Sequence, residues 1–221
     1  MKKLLSIAAL VLFPLIIQAQ NSLCPDNLHP HMIDLGLPSG TKWACCNVGA
    51  NKPENYGEYF SWGETKSKNT YDDKVYIFCN GNLSKLTKYV TKSEYGKADN
   101  KTRLEMSNDV AYARWGGSWR IPTKAQLEEL ETYCTCSWTT LNNVKGRKFT
   151  SRKNGRSIFL PASGWCQGSS VNERGVKGDY WSSILYESDP RFSFRYEYTS
   201  GGTKKNATRR DLGLSVRPVN R

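Results

Sequence analysis

Asp109–Leu130, DVAYARWGGSWRIPTKAQLEEL, decides how the rest of the chain is read. Asp109 caps a short amphipathic segment that the Gly116-Gly117 pair stops. Trp119-Arg120 then reads as a strand fragment, and Pro122-Thr123 launches a second helix. There the Thr123 hydroxyl can accept from the backbone N–H of Gln126 while the Gln126 side chain reaches back, a capping box. Leu127, Leu130 and Cys134 recur at helical spacing on one face, with Glu128, Glu129 and Glu131 outside it. Local physics therefore sets two helices, joined by a loop that has to bury an aromatic ring and an arginine. The stretch holds no nucleophile motif, phosphate loop or metal cluster, so it reads as scaffold.

On both sides the pattern turns to short strands. Ile33–Val48 reads as strand, Leu-Pro-Ser-Gly turn and second strand through Trp43, and GEYFSWG (Gly57–Gly63) as an aromatic strand. Residues 64–104 are polar and poorly periodic, a long excursion with one short strand near Tyr76–Cys79. Ser137–Leu141, Arg147–Arg152, Ser157–Leu160 and Tyr180–Leu185 are strand candidates separated by Gly and Asn turns. Arg191–Tyr198 alternates: Phe192, Phe194, Tyr196 and Tyr198 share one face, and Arg191, Ser193, Arg195 and Glu197 the other. That period of two predicts a half-buried antiparallel strand. Ser200–Arg210 reads as a loop, followed by a last strand, Leu212–Val219. One helical pair among many strands predicts an α+β class and a single domain over residues 33–221.

The first residues stand apart from that domain. Lys2-Lys3, an apolar run from Leu4 to Ile17 and a small residue at Ala19 read as a signal peptide over residues 1–19. No later run is long enough for a transmembrane segment. Residues 20–32 form an arm with His29-Pro30-His31, and Cys24 follows Leu23, a poor match to a lipidation site. The 221 residues carry a formal net charge of +12. In an exported protein this excess suits acidic glycans or an anionic envelope, or simply a solvated face, and nucleic acid is not an expected partner. Seven cysteines (24, 45, 46, 79, 134, 136 and 166) suggest disulfides with one thiol left over. A bridge between Cys45/Cys46 and Cys134/Cys136 is one option, and the spacing gives no connectivity. Neither pair has zinc-ligand spacing.

Longer phrases carry a resemblance. IDLGLPSGTKWACCNVGA (Ile33–Ala50), YGEYFSWGET (Tyr56–Thr65), WGGSWRIPT (Trp115–Thr123), SIFLPASG (Ser157–Gly164), GDYWSS (Gly178–Ser183) and GLSVRPV (Gly213–Val219) occur in order. Together they resemble the Fibrobacter succinogenes major paralogous domain of secreted Bacteroidetes-type proteins. The resemblance implies a C-type-lectin-like fold, in the branch of formylglycine-generating enzymes and the variable proteins of diversity-generating retroelements. Its terminal strands would pair, two helices would flank short antiparallel sheets, and long loops would present the ligand surface. Trp119, Trp181 and Arg120 would then be core residues.

The same resemblance brings an enzyme into view, because formylglycine-generating enzymes use paired cysteines that bind copper. Cys134 and Cys136 do not map onto those catalytic phrases, and no Ser-His-Asp set or paired-carboxylate motif is present. The calcium-ligand phrases of C-type lectins are also missing, so no catalytic residue, metal or cofactor is expected. Binding is the expectation instead. Loops of Tyr, Trp, Ser, Asn, Gly and Arg supply rigid aromatic area and adaptable hydrogen bonds. The candidate ligand face comprises Trp165, Tyr186, Arg191, Arg195, Tyr198, Lys204, Lys205 and Arg209. The expected partner is a glycan or a cell-surface protein. The alternative is a structural component of the envelope or an adhesin.

Overall fold

The computed structural model describes residues 32–220. The expected signal peptide, Cys24 and the His29-Pro30-His31 arm lie outside the described residues. The first strands are β1 (Met32–Asp34) and β2 (Lys42–Ala44), and the helices are α1 (Val110–Trp115) and α2 (Lys124–Tyr133). Then come β3 (Cys134–Leu141), β4 (Val144–Ser151), β5 (Ser157–Pro161), β6 (Trp165–Gln167) and β7 (Ser170–Asn172). The chain closes with β8 (Gly178–Leu185), β9 (Phe192–Thr199), β10 (Gly202–Arg209) and β11 (Val219–Asn220).

These strands form four small antiparallel sheets among the described residues, ordered β1-β2-β11, β10-β9-β8, β3-β4-β5 and β6-β7. The expected α+β, C-type-lectin-like arrangement with two flanking helices is therefore corrected to a predominantly β architecture. The physical reason is length. Gly116 and Gly117 both sit at positive φ, 69° and 55°, and end α1 after six residues. Only α2 covers sheet, through Leu127 and Leu130, which pack among Trp43, Phe149, Tyr196 and Tyr198.

The capped stretch behaves as read. Asp109 Oδ1 accepts from Ala111 N at 2.9 Å and Tyr112 N at 3.2 Å, and its Oδ2 accepts from Ile121 N at 2.8 Å. One buried carboxylate thus starts α1 and pins the strand fragment after it. The Thr123–Gln126 capping box is formed in both directions. Arg120 exchanges backbone hydrogen bonds with Val219, both 2.9 Å. Its side chain does not enter the core but stacks over Tyr112 at 4.5 Å.

Two other arginines are fully buried. Arg217 is fully buried and donates to Asn47 Oδ1 (2.8 Å) and to the carbonyls of Ala44 (3.1 Å), Cys45 (2.8 Å) and Phe159 (2.9 Å). Arg210, equally buried, donates to Tyr76 Oη (3.0 Å) and to the carbonyls of Lys88 (3.0 Å), Tyr89 (3.2 Å) and Pro190 (2.9 Å). Both saturate backbone acceptors that loops cannot pair among themselves. Trp62 Nε1 donates to Ser182 O and Trp181 Nε1 to Phe60 O, tying β8 to the Gly57–Gly63 segment from both sides.

Several local readings are corrected. Gly57–Gly63 is not a strand and contributes one bridge, Phe60 to Leu214. Tyr76–Cys79 is turn with a single bridge from Cys79 to Leu86, and Leu212–Val219 is mostly isolated bridges before β11. Ser200–Arg210, read as a loop, is mainly β10, paired along its length with β9. The proposed bridge between Cys45/Cys46 and Cys134/Cys136 does not form, and no disulfide joins cysteines among the described residues. Cys45 and Cys46 lie in an apolar cluster beside Ala50, Cys134 lies in another beneath α2, and Cys136 is exposed.

Candidate functional site

The β9–β10 hairpin builds the site. Its register sets Arg209 opposite Phe192, Ala207 opposite Phe194, Lys205 opposite Tyr196 and Thr203 opposite Tyr198, all on one face. α2 and the β3-β4-β5 sheet bury Tyr196 and Tyr198 on that face, whereas Phe192 and Phe194 stay partly exposed. Dimensions explain the gap. A ten-residue helix such as α2 is about 15 Å long, and an eight-residue strand such as β9 about 27 Å. The aromatic row outruns its cover.

The turn between β8 and β9 closes the end of this row. Tyr186 N donates to Phe192 O at 3.1 Å and Phe192 N to Asp189 O at 3.0 Å, which folds the Tyr186 ring onto Phe194 edge-on, centroids 5.4 Å apart. Tyr186, Asp189, Phe192, Phe194, Lys205, Asn206 and Ala207 line a shallow cavity of about 450 Å³. Lys124 Nζ lies 4.7 Å from the centre of the Phe194 ring.

The cations around this cavity are already engaged. Arg191 grips Asp189 through Nε at 2.9 Å and Nη2 at 2.7 Å, and this pairing holds the Asp189 carboxyl below its ordinary range. Lys205 Nζ is 2.8 Å from Glu131 Oε2, and Arg209 binds Asp211. Arg195 pairs with Asp179 and Glu197. Of the five cations in the expected face, only Lys204 has no ion pair among the described residues.

The eight expected residues do not form one surface. Tyr186 and Lys205 line the cavity, and Arg191 and Arg209 border it. Arg195 and Lys204 point to the opposite face of the sheet, where Arg195 Nε donates to Asn206 Oδ1 at 2.9 Å. Tyr198 is core: its hydroxyl donates to the carbonyls of Leu160 and Pro161, and its ring stacks on Tyr180. Trp165 sits on β6, donating from Nε1 to Glu173 Oε2 at 2.9 Å. Phe192, Phe194 and Asp189 were not among the expected site residues. The sequence signal that points to them is an aromatic row longer than the helix facing it.

On the opposite face Asp179 and Glu197 stand directly across the ladder, with Arg195 and Lys177 between them. Asp179 is 0 % exposed. Arg195 Nη1 lies 3.1 Å away, yet neither carboxylate oxygen has an aligned hydrogen bond. Burial pushes the Asp179 pKa up to about 6, against the pull of Arg195 and Lys177. Two carboxylates facing each other across a ladder invite a catalytic reading. Here the cations occupy the space between them, and the cluster holds β8 to β9.

Burial also pushes the Cys134 and Cys166 thiols up to about 11, which suppresses the thiolate a nucleophile needs. Among the described residues no group of three or more His, Cys, Asp or Glu side chains is placed to hold a metal. No helix among them is long and apolar enough to cross a membrane. Residues 135–219 match a family described as Domain of unknown function (DUF8237). The match runs from β3 to the first residue of β11 and contains the aromatic cavity and the fully buried Arg210 and Arg217. No curated protein and no solved structure matches the chain.

Proposed function

We propose that the protein is a secreted or surface-exposed recognition protein that holds a neutral glycan on the Tyr186–Phe192–Phe194 platform. The observation that carries this reading is the uncovered end of the aromatic row, rigid on its ladder and rimmed by polar groups. Aromatic rings offer a flat apolar surface to the C–H face of a sugar, and Asp189 and Lys205 offer hydrogen bonds to its hydroxyls. The pairing of the neighbouring cations with carboxylates argues for a neutral ligand over a sulfated one. A free anionic site would leave its guanidinium groups unpaired for the ligand. The resemblance to the Fibrobacter major paralogous domain, whose proteins are secreted, supports the location.

Capture on a panel of immobilised neutral and sulfated glycans tests the proposal. Neutral glycans should be retained from low to high salt, and Phe194→Ala should weaken capture about tenfold, roughly 1.4 kcal/mol. Lys204→Ala should leave it unchanged. Retention of sulfated glycans alone, lost as salt rises, would refute the platform as the site.

A further inference from the structure

We propose a second, separate binding site on the outer face of the β3-β4-β5 sheet, shaped for a straight aliphatic chain that ends in a carboxylate. The two faces of this sheet differ by register. Phe149 and Ile158 face each other toward the core, so Lys148 and its partner Phe159 face outward, as do Leu141 and Thr139. Gly146 makes the outward floor smooth. A Cβ there would come to 2.5 Å from the Phe159 ring, so the absence of a side chain lets the ring lie close over the strand.

Met32, Ile33, Cys45 and Pro53 wall this floor into a groove of about 630 Å³. Met32 is 42 % exposed, an unusual amount of apolar surface for a side chain at a concave site. The size falls within the range of small-ligand sites, which are mostly apolar with a few placed polar groups. The charge is one-sided. Lys148 and Arg156 line the groove, neither has an ion pair among the described residues, and no carboxylate lines it. Thr139 and Ser157 add hydroxyl donors. An apolar trough with two unneutralised cations at its rim is complementary to a fatty carboxylate. It contrasts with the glycan platform, whose cations are already paired.

Displacement of a fluorescent fatty acid from the full chain tests this, using saturated acids of eight to fourteen carbons and the matching alcohols below their micellar concentrations. Affinity should rise about fourfold per added methylene until the groove is full. Acids should exceed alcohols about fivefold, as two partly exposed charge pairs allow. Replacing both cations (Lys148→Ala with Arg156→Ala) should erase the preference for acids and keep the chain-length slope. Leu141→Gln should flatten the slope. Failure of the full chain to bind the probe overturns the proposal, and is the result expected if residues 20–31 fill the groove. Equal affinity for acids and alcohols overturns it too, as does a dimer that the probe cannot dissociate. Glycan capture by the Phe194 platform should be unaffected by these variants, so the two sites fail independently.

Discussion

Residues 45–109 and residues 134–209 bury aromatic side chains to similar depth by opposite means. The later region is laddered: β3, β4, β8, β9 and β10 each run eight residues and pair by register over most of their length, with one break in β8 between Trp181 and Leu185. The earlier region has two short 3-10 turns and no strand, yet Phe60, Trp62, Tyr76 and Tyr89 are all buried. Many of its carbonyls pair with backbone N–H groups in turns and loops, and the buried guanidinium groups of Arg210 and Arg217 supply the donors for those of Cys45, Lys88 and Tyr89. The difference teaches that irregular backbone can be as firmly held as a sheet, with the holding concentrated in very few residues. Loss of one ladder residue is shared among neighbours. Loss of one buried guanidinium leaves several acceptors without a donor at once.

The largest expected effect follows directly. Arg210→Ala leaves three carbonyls without a donor and removes one of the two hydrogen bonds of Tyr76 Oη, which still donates to Trp62 O, and should cost about 4 kcal/mol or more in denaturant unfolding. Amide exchange should then rise first in residues 64–104, while β8 and β9 keep their protection. Equal loss across both regions would break the comparison. A smaller effect, on the order of 3 kcal/mol, tests the laddered region. Asp179 has a folded pKa of about 6, raised by burial above the ordinary carboxylate value, so the native state holds its proton more tightly than the unfolded state. Its stabilising contribution is complete below about pH 4 and is lost as pH rises through about 6. Wild type should lose stability relative to Asp179→Asn across that window, and parallel pH profiles would rule the linkage out. The smallest effect is Thr123→Ala, which removes one half of the capping box and should cost about 1 kcal/mol by thermal melting.

What could be read beforehand divides along the same line. The caps at Asp109 and Thr123 rest on contacts within a few residues, and the strands around Ser157–Leu160 and Tyr180–Leu185 on runs of strand-forming side chains between turn residues, so they were legible. β10 was not, because GGTKKNATRR lacks an apolar alternation. It is the edge strand of its sheet, and lysines on an edge discourage pairing with another chain. The polarity that disguised it as a loop is the polarity such an edge requires. Arg120 was expected inside and Arg217 was noticed only as part of a phrase, since nothing local says which guanidinium meets carbonyls 170 residues away. The same holds for the site. Alternation placed Phe194 on a face, Tyr186 and Lys205 were expected on a ligand face without reference to Phe194, and only the tertiary cover decides where that face comes into the open. The C-type-lectin-like expectation failed for a related reason: phrases report local turns, and the layering of helices on sheets is a long-range property.

Arg217 has one more consequence, in time. It binds Asn47 across 170 residues, and Val219 pairs with both Trp43 and Arg120. A ribosome makes these partners in the opposite order from their use. Until residues 217–219 are made, the carbonyls of Ala44, Cys45 and Phe159 lack their donor and β2 has only β1 beside it. Closure at such separation carries a loop-entropy cost that no earlier contact repays. A nascent chain therefore cannot close this contact until Arg217 has been made, 170 residues after Asn47.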